Sequence, residues 1–471
     1  MNRLRLTEPT RWVLLASVLG FLVAFGFFQF AYPYHLIQRE QNTLFLFDWD
    51  YICMTYRGSG WLARFLADFA EQFFRLPVAA PLVIASLLTA IGYTSYRICR
   101  IFMESKPSMA VAAALFVWSF MRETGNLYIT RYTIVFLGYL ILILTALRFR
   151  KPAVRYAASA LLALFGIWAL GSPIHRDYGK LWGIPRIGYD RVMGLDVETS
   201  RENWDKVLKL SAKDLHMVEA SYCYNLAQAM KGNLGQKLFN HSQSGTATLL
   251  MSVATNLSTF TNTLAGEAWY QLGDMTIAEQ SAIIALQASP KHTGARYIVR
   301  LAQVNLISGQ EVTAQKYLGM LSKTLFYRKW ALRMMPGLQD EATQRHLSRA
   351  RSRLARTDMV HHSDNPRAIL TGLLEADPSN SLARNYLLCY DLMSYDLDHF
   401  IRDYSQDMIK AHIYHEAVLI WLSQQDRMTE QDAALYGVEP STIDQMSWFF
   451  RRPDSYRTTY WYYYLNAINA N

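Results

Sequence analysis

Five apolar runs within the first 174 residues set the tightest limit on how this chain folds. They are Trp12–Ala31, Val78–Tyr96, Met109–Met121, Tyr132–Leu147 and Tyr156–Ile174. A helix needs about 20 mostly apolar residues to cross a bilayer, and in hydrocarbon the backbone must satisfy its own hydrogen bonds. The runs therefore predict transmembrane helices. The third, "MAVAAALFVWSFM", is short, which leaves a re-entrant segment as the alternative to a full span. The first follows Arg3, Arg5 and Arg11 as a secretory signal would. Its apolar core is too long for that, and "YPYH" stands where an A-x-A site would be. It reads as an uncleaved anchor.

Charge gives the orientation. The net charge of +9 suggests nucleic acid until it is partitioned. Residues 1–172 hold 16 Lys and Arg against 8 Asp and Glu, which leaves 31 against 30 for the remainder. The excess belongs to the apolar region, so no nucleic-acid partner is expected. With five spans, one set of short loops carries Arg3, Arg5, Arg11, Arg97, Arg100, Lys106, Arg148, Arg150, Lys151 and Arg155 against only Glu8 and Glu104. The other set is balanced. Positive loops stay in the cytoplasm, which places the N-terminus there and everything after Ile174 outside. Cys53, Cys99, Cys223 and Cys389 form no CxxC pair, so neither a disulfide framework nor a zinc site is expected.

The loop 32–77 then lies outside the cytoplasm. It opens with "FLFDWDYI", in which Asp48 and Asp50 stand among Phe45, Phe47, Trp49 and Tyr51. It continues with "GWLARFLADFAEQFFRLP", where Leu62, Phe65, Leu66, Phe69 and Phe73 recur at helical spacing. Arg64 with Asp68, and Glu71 with Arg75, are i,i+4 pairs on the polar side of that helix. Such a helix lies in the membrane interface or packs against the spans.

The rest of the chain reads as internal repeats. "GEAWYQLGDMTIAEQSAIIALQASP" aligns with "VRLAQVNLISGQEVTAQKYLGML", bringing Gly273 onto Gly309 and Ala278 onto Ala314. A more distant pair brings Ala288, Pro290, Ala295 and Arg296 onto Ala376, Pro378, Ala383 and Arg384. Ala268, Gly273, Ala278, Ala285 and Pro290 follow the tetratricopeptide pattern of small residues where two helices cross. The predicted fold class is all-α: a transmembrane helix bundle (1–174), a linker (175–194), and a tetratricopeptide-like α-solenoid (195–471). Stacked helix pairs offer a concave surface to a peptide or protein.

Several stretches carry a family resemblance: "AYPYHLIQREQNTLFLFDWDYI", "WLARFLADFAEQFFRLP", "YNLAQAMKGNLGQKLF" and the closing "TYWYYYLNA". Through them the chain resembles an uncharacterised family of bacterial polytopic inner-membrane proteins, a domain of unknown function with a tetratricopeptide-like C-terminal region. The resemblance implies an inner-membrane location and no assigned activity. A looser one, to membrane glycosyltransferases that use polyprenyl-phosphate sugars, rests on an acid in the first outer loop followed by a helix along the membrane. It implies that Asp48 or Asp50 is catalytic, as general base on an acceptor hydroxyl or as ligand to a divalent metal at the donor phosphate. The bland reading of both acids is a solvated loop in which Asp caps a turn or a helix.

Other candidates are weaker. His412, His415 and Glu416 have the spacing of a partial metal site without a third ligand in sight. Arg345, Arg349, Arg353 and Arg356 line one helical stripe, for anionic lipid, for an acidic partner or simply for solvent. The aromatic cluster 456–467 seals the open end of the repeats. Two functions follow. The favoured one is a scaffold that binds envelope proteins or peptides through the repeats while the spans sit in the lipid bilayer, with no cofactor. The alternative is the lipid-linked-sugar enzyme.

Overall fold

The computed structural model describes residues 8–57, 61–125, 130–177, 185–289, 292–354, 362–405 and 411–470. All regular elements among them are helical. The chain divides into two compact units, Met1–Met193 with Met320–Lys329, and Gly194–Gly319 with Trp330–Asn471.

In the first unit, α1 (Glu8–Gly26) runs directly into a π-helical turn, Phe27–Ala31. The first loop then folds as α2 (Pro33–Gln41), α3 (Trp49–Thr55) and α4 (Trp61–Gln72), closed by a 3-10 turn at Phe73–Arg75. The remaining apolar runs become α5 (Ala79–Phe102), α6 (Ser105–Glu123), α7 (Thr130–Ala146) and α8 (Pro152–Asp177), followed by α9 (Ile187–Ser200). Of the expected 175–194 linker, residues 178–184 lie outside the described residues, and helix occupies both of its ends.

Helices α1, α5, α6 and α7 pack side by side, with α5 touching the other three. Phe116 of α6 lies beside Gly20 of α1 and Gly92 of α5. Phe28, Tyr32, Leu36, Phe74, Ile84 and Leu88 form the buried centre. Two stretches, Arg11–Ala31 and Ala79–Phe102, are long and apolar enough to cross a membrane; Thr130–Ala146 and Pro152–Leu164 are apolar but shorter. On α1 the large side chains Trp12, Leu15, Leu19 and Leu22 point outward.

The second unit continues from the end of α9 through α10 (Trp204–Ser211), α11 (Val218–Met230), the single turn α12 (Leu234–Lys237), α13 (Thr259–Leu272), α14 (Met275–Ala288), α15 (Ala295–Ile307) and α16 (Glu311–Ser322). It resumes within α17 (Arg328–Met334) and runs on through α18 (Glu341–Arg351), α19 (Pro366–Ala376), α20 (Ser381–Met393), α21 (Leu397–Asp403) and α22 (His412–Gln424). It ends with α23 (Glu430–Leu435), α24 (Pro440–Arg451) and α25 (Tyr460–Ala470).

Short polar side chains start many of these helices. Ser258, Asp274, Asp340, Asn365, Asn380 and Asp396 each accept a hydrogen bond from the backbone N–H three residues on, satisfying a donor that the first turn leaves unpaired. The residues of the first alignment share local features. Gly273 and Gly309 both take positive φ, 105° and 77°, just beyond a helix, and Ala278 and Ala314 are both buried. Helices α13 and α14 approach so closely that a Cβ on Gly266 would lie 2.0 Å from the Ser281 hydroxyl oxygen. The second alignment is looser. Arg296 is largely buried in an ion cluster, whereas its counterpart Arg384 is half-buried and donates to the Pro378 carbonyl.

Candidate functional site

Asp48 and Asp50 diverge. The chain is irregular from Thr43 to Asp48 and becomes helical at Trp49, so the two acids do not share the face that an extended strand would give them. Asp48 is the N-cap of α3, accepting from the Tyr51 N–H at 3.0 Å. Its other oxygen takes the Lys323 ammonium at 2.6 Å. That hydrogen bond, with the cap bond from Tyr51, holds the carboxyl below its usual range. Asp50 is exposed in the first turn of α3, where a negative charge complements the helix dipole. Of the aromatics around them, Phe45 is buried and meets the rings of Phe47, Tyr56, Phe65 and Phe69, whereas Trp49 is largely exposed.

Residues 320–329 complete this loop. The Phe47 N–H donates to the Lys323 carbonyl at 2.7 Å. Phe326 meets Phe73 edge-on at 5.7 Å. Tyr327 is buried, donates to Glu40 at 3.4 Å, and carries the Arg75 guanidinium 4.0 Å above its ring. Sequence reasoning gave no sign of this partnership, because Lys323, Phe326 and Tyr327 lie in the connection between α16 and α17, and Lys323 is 275 positions from Asp48.

Beneath the loop lies a buried polar cluster that the sequence reading did not single out. Arg39 of α2 pairs with Glu123 at the end of α6 at 2.7 Å and also reaches the Glu123 carbonyl, Thr130 and His35. Glu123 is fully buried, and its second oxygen accepts from Thr133 at 2.5 Å. Burial and the Arg39 charge push the His35 pKa well below its ordinary value. With Arg39 donating to Nε2, the neutral ring carries its proton on Nδ1. Asp190 of α9 accepts from the His35 backbone N–H at 2.7 Å. It thus caps α2 from a distance, since Tyr32 provides no side-chain cap there. Burial pushes Asp190 up to about 7 against the hydrogen bonds from His35 and Tyr34. One signal was available: a Glu at the edge of an apolar run is costly unless paired.

The second unit holds charge clusters of its own. Arg296 bridges Asp196 and Glu267, and Arg300 binds Glu267 at 2.6 Å while stacking on Tyr270 at 3.7 Å. Burial alone would raise the Glu267 pKa, but the two guanidinium groups outweigh it and hold the carboxyl below its ordinary value. Arg367 likewise bridges Asp391 and Asp403.

His412 is exposed and lies 3.6 Å from Glu416 and 3.2 Å from Gln445. Glu416 is buried and accepts the Tyr460 N–H at 2.5 Å, capping α25, while the Trp461 indole donates to the Glu416 carbonyl. Burial pushes the Glu416 carboxyl up to about 7. No set of three or more His, Cys, Asp or Glu side chains among the described residues is arranged to hold a metal ion.

Of the arginine stripe, Arg345 and Arg349 are exposed on α18, Arg353 is exposed just beyond it, and Arg356 lies outside the described residues. In the aromatic tail Tyr460 and Trp461 are buried, and Tyr463 packs on Phe239 and Tyr395.

Residues 9–175 and 173–467 match the model of a family described as "Family of unknown function (DUF6057)". The two matches span nearly the whole chain, so the protein belongs to that family. No curated protein and no solved structure matches it.

Proposed function

We propose that this member of the DUF6057 family is a multi-pass protein of the bacterial inner membrane that presents a tetratricopeptide-like solenoid as a protein-interaction scaffold in the cell envelope. One observation carries the reading. Of the two helices long and apolar enough to cross a membrane, the more apolar, α1 with its π-helical turn, faces Trp12, Leu15, Leu19 and Leu22 outward, the reverse of what a core helix of a water-soluble protein does. The basic loops support a cytoplasmic N-terminus and a repeat region outside. The matching Gly273 and Gly309 turns support a repeat built on stacked helix pairs.

The glycosyltransferase-like alternative depends on the loop acids. The capping and pairing of Asp48 account for its presence without chemistry. Native mass spectrometry of the full chain in mild detergent, wild type against Asp48→Asn/Asp50→Asn, tests the choice. The scaffold predicts a co-purifying envelope protein that the double substitution leaves in place. A bound polyprenyl-phosphate lipid lost in the double variant would overturn it in favour of the enzyme.

A further inference from the structure

Helix α4 is inside out for a helix in water. Its carboxylates face inward: Asp68 is 5% exposed and accepts the Tyr56 hydroxyl at 2.9 Å, and Glu71 is 2% exposed. Its leucines face outward, Leu62 at 52% and Leu66 at 41%, with Trp61 at 49%. The expected i,i+4 pairs therefore do not form a solvated face. Arg64 reaches the Arg57 carbonyl, and Arg75 stacks on Tyr327.

In water, withdrawing two carboxylates while leaving leucines exposed is unfavourable on both counts, since buried charge and hydrated apolar area each cost free energy. The same arrangement is favourable where the medium outside is apolar. The neighbouring surface has the same character. Trp49 and Met54 of α3 are largely exposed, and the exposed Leu76 and Val78 lead straight into α5. Arg57 and Arg75 are exposed cations of this stretch, suited to anionic headgroups, against one exposed acid among its described residues, Asp50.

We infer that α3 and α4 are embedded in the headgroup–acyl boundary of a lipid bilayer, with Leu62 and Leu66 toward the acyl chains and Trp49 and Trp61 at headgroup level. The inference rests on the membrane reading above and adds to it that the first loop is a lipid-contacting element. The occupant of this apolar face is lipid, because only an apolar medium rewards the inverted burial and the flanking cations match anionic headgroups.

Site-directed spin labelling of the full chain in nanodiscs of zwitterionic and anionic phospholipid tests it. Cys53 and Cys99 are replaced by Ser, and single labels are placed by Leu66→Cys, Leu62→Cys, Leu19→Cys on α1 and Val312→Cys on α16. Positions 66 and 62 are expected to favour oxygen over the nickel chelate, with an oxygen-to-nickel ratio several-fold above that at position 312 and below that at the mid-span position 19. Nickel accessibility at 66 and 62 like that at 312, with 19 still in lipid, overturns the inference and spares the membrane reading. Low access to both reagents at 66 and 62 means that protein covers the face, a second copy included, and also overturns it. Water-like behaviour at 19 removes both readings.

Discussion

Arg39 and Glu123 are joined across 84 positions of sequence at a largely buried site. Breaking a buried pair by removing one partner leaves a charge without compensation and costs roughly 3–5 kcal/mol. Arg39→Met is therefore expected to lower thermal stability by that order, and Arg39→Met/Glu123→Leu to recover much of the loss, read as the melting temperature in detergent. Glu416 makes a prediction about pH. Its carboxyl titrates near 7 when folded against an ordinary value of 4.5, so between these pH values the folded state binds more protons than the unfolded one. Its contribution is fully present below about pH 4.5 and is lost as pH rises through 7, a change of at most ~3 kcal/mol. Glu416→Gln keeps an oxygen to cap α25 and is expected to flatten the fall in melting temperature between pH 5 and pH 8. An unchanged slope would show that Glu416 is not its source.

At the scale of elements, the helices follow from local rules. Each apolar run expected to be helical is helical, and Asp48, Asp274 and Asn380 cap helices as short polar side chains at such positions should. How closely two helices pack is set by single positions. Gly266 faces Ser281 with no room for a methyl group, so Gly266→Ala is expected to destabilise by ~1–3 kcal/mol through overpacking. Gly266→Ala/Ser281→Gly should recover part of that, measured by thermal unfolding; if the single variant matches wild type, the crossing is looser than described. Helix α4 is where local reasoning failed most plainly. Periodicity found both of its stripes, yet a hydrophobic stripe does not say whether the medium on its far side is protein, water or lipid.

The first unit is discontinuous, since residues 320–329 belong to it although their neighbours in sequence belong to the second. Tyr327 is a buried aromatic anchor of that segment, held by Glu40 and Arg75. Tyr327→Ala removes an aromatic side chain from the packed interior, a class of change that costs a few kcal/mol. The variant is expected to loosen the first loop and speed its cleavage by trypsin at Arg57, an exposed site at the end of α3. Equal cleavage rates would mean that the loop holds its shape without this anchor.

The amino-acid sequence by itself determined the helical class and the apolar runs that became helices. Both depend on residues within a few turns of one another, where backbone geometry and side-chain period act directly. Only the tertiary structure decided that Asp190 caps α2, that Arg39 pairs with Glu123, that Lys323 reaches Asp48, and that Asp68 and Glu71 face inward. Charges scattered along a chain carry no mark of which partner they will meet. The pairing is set by which helices pack together, and a buried charge must then find the opposite one within reach wherever in the sequence it lies.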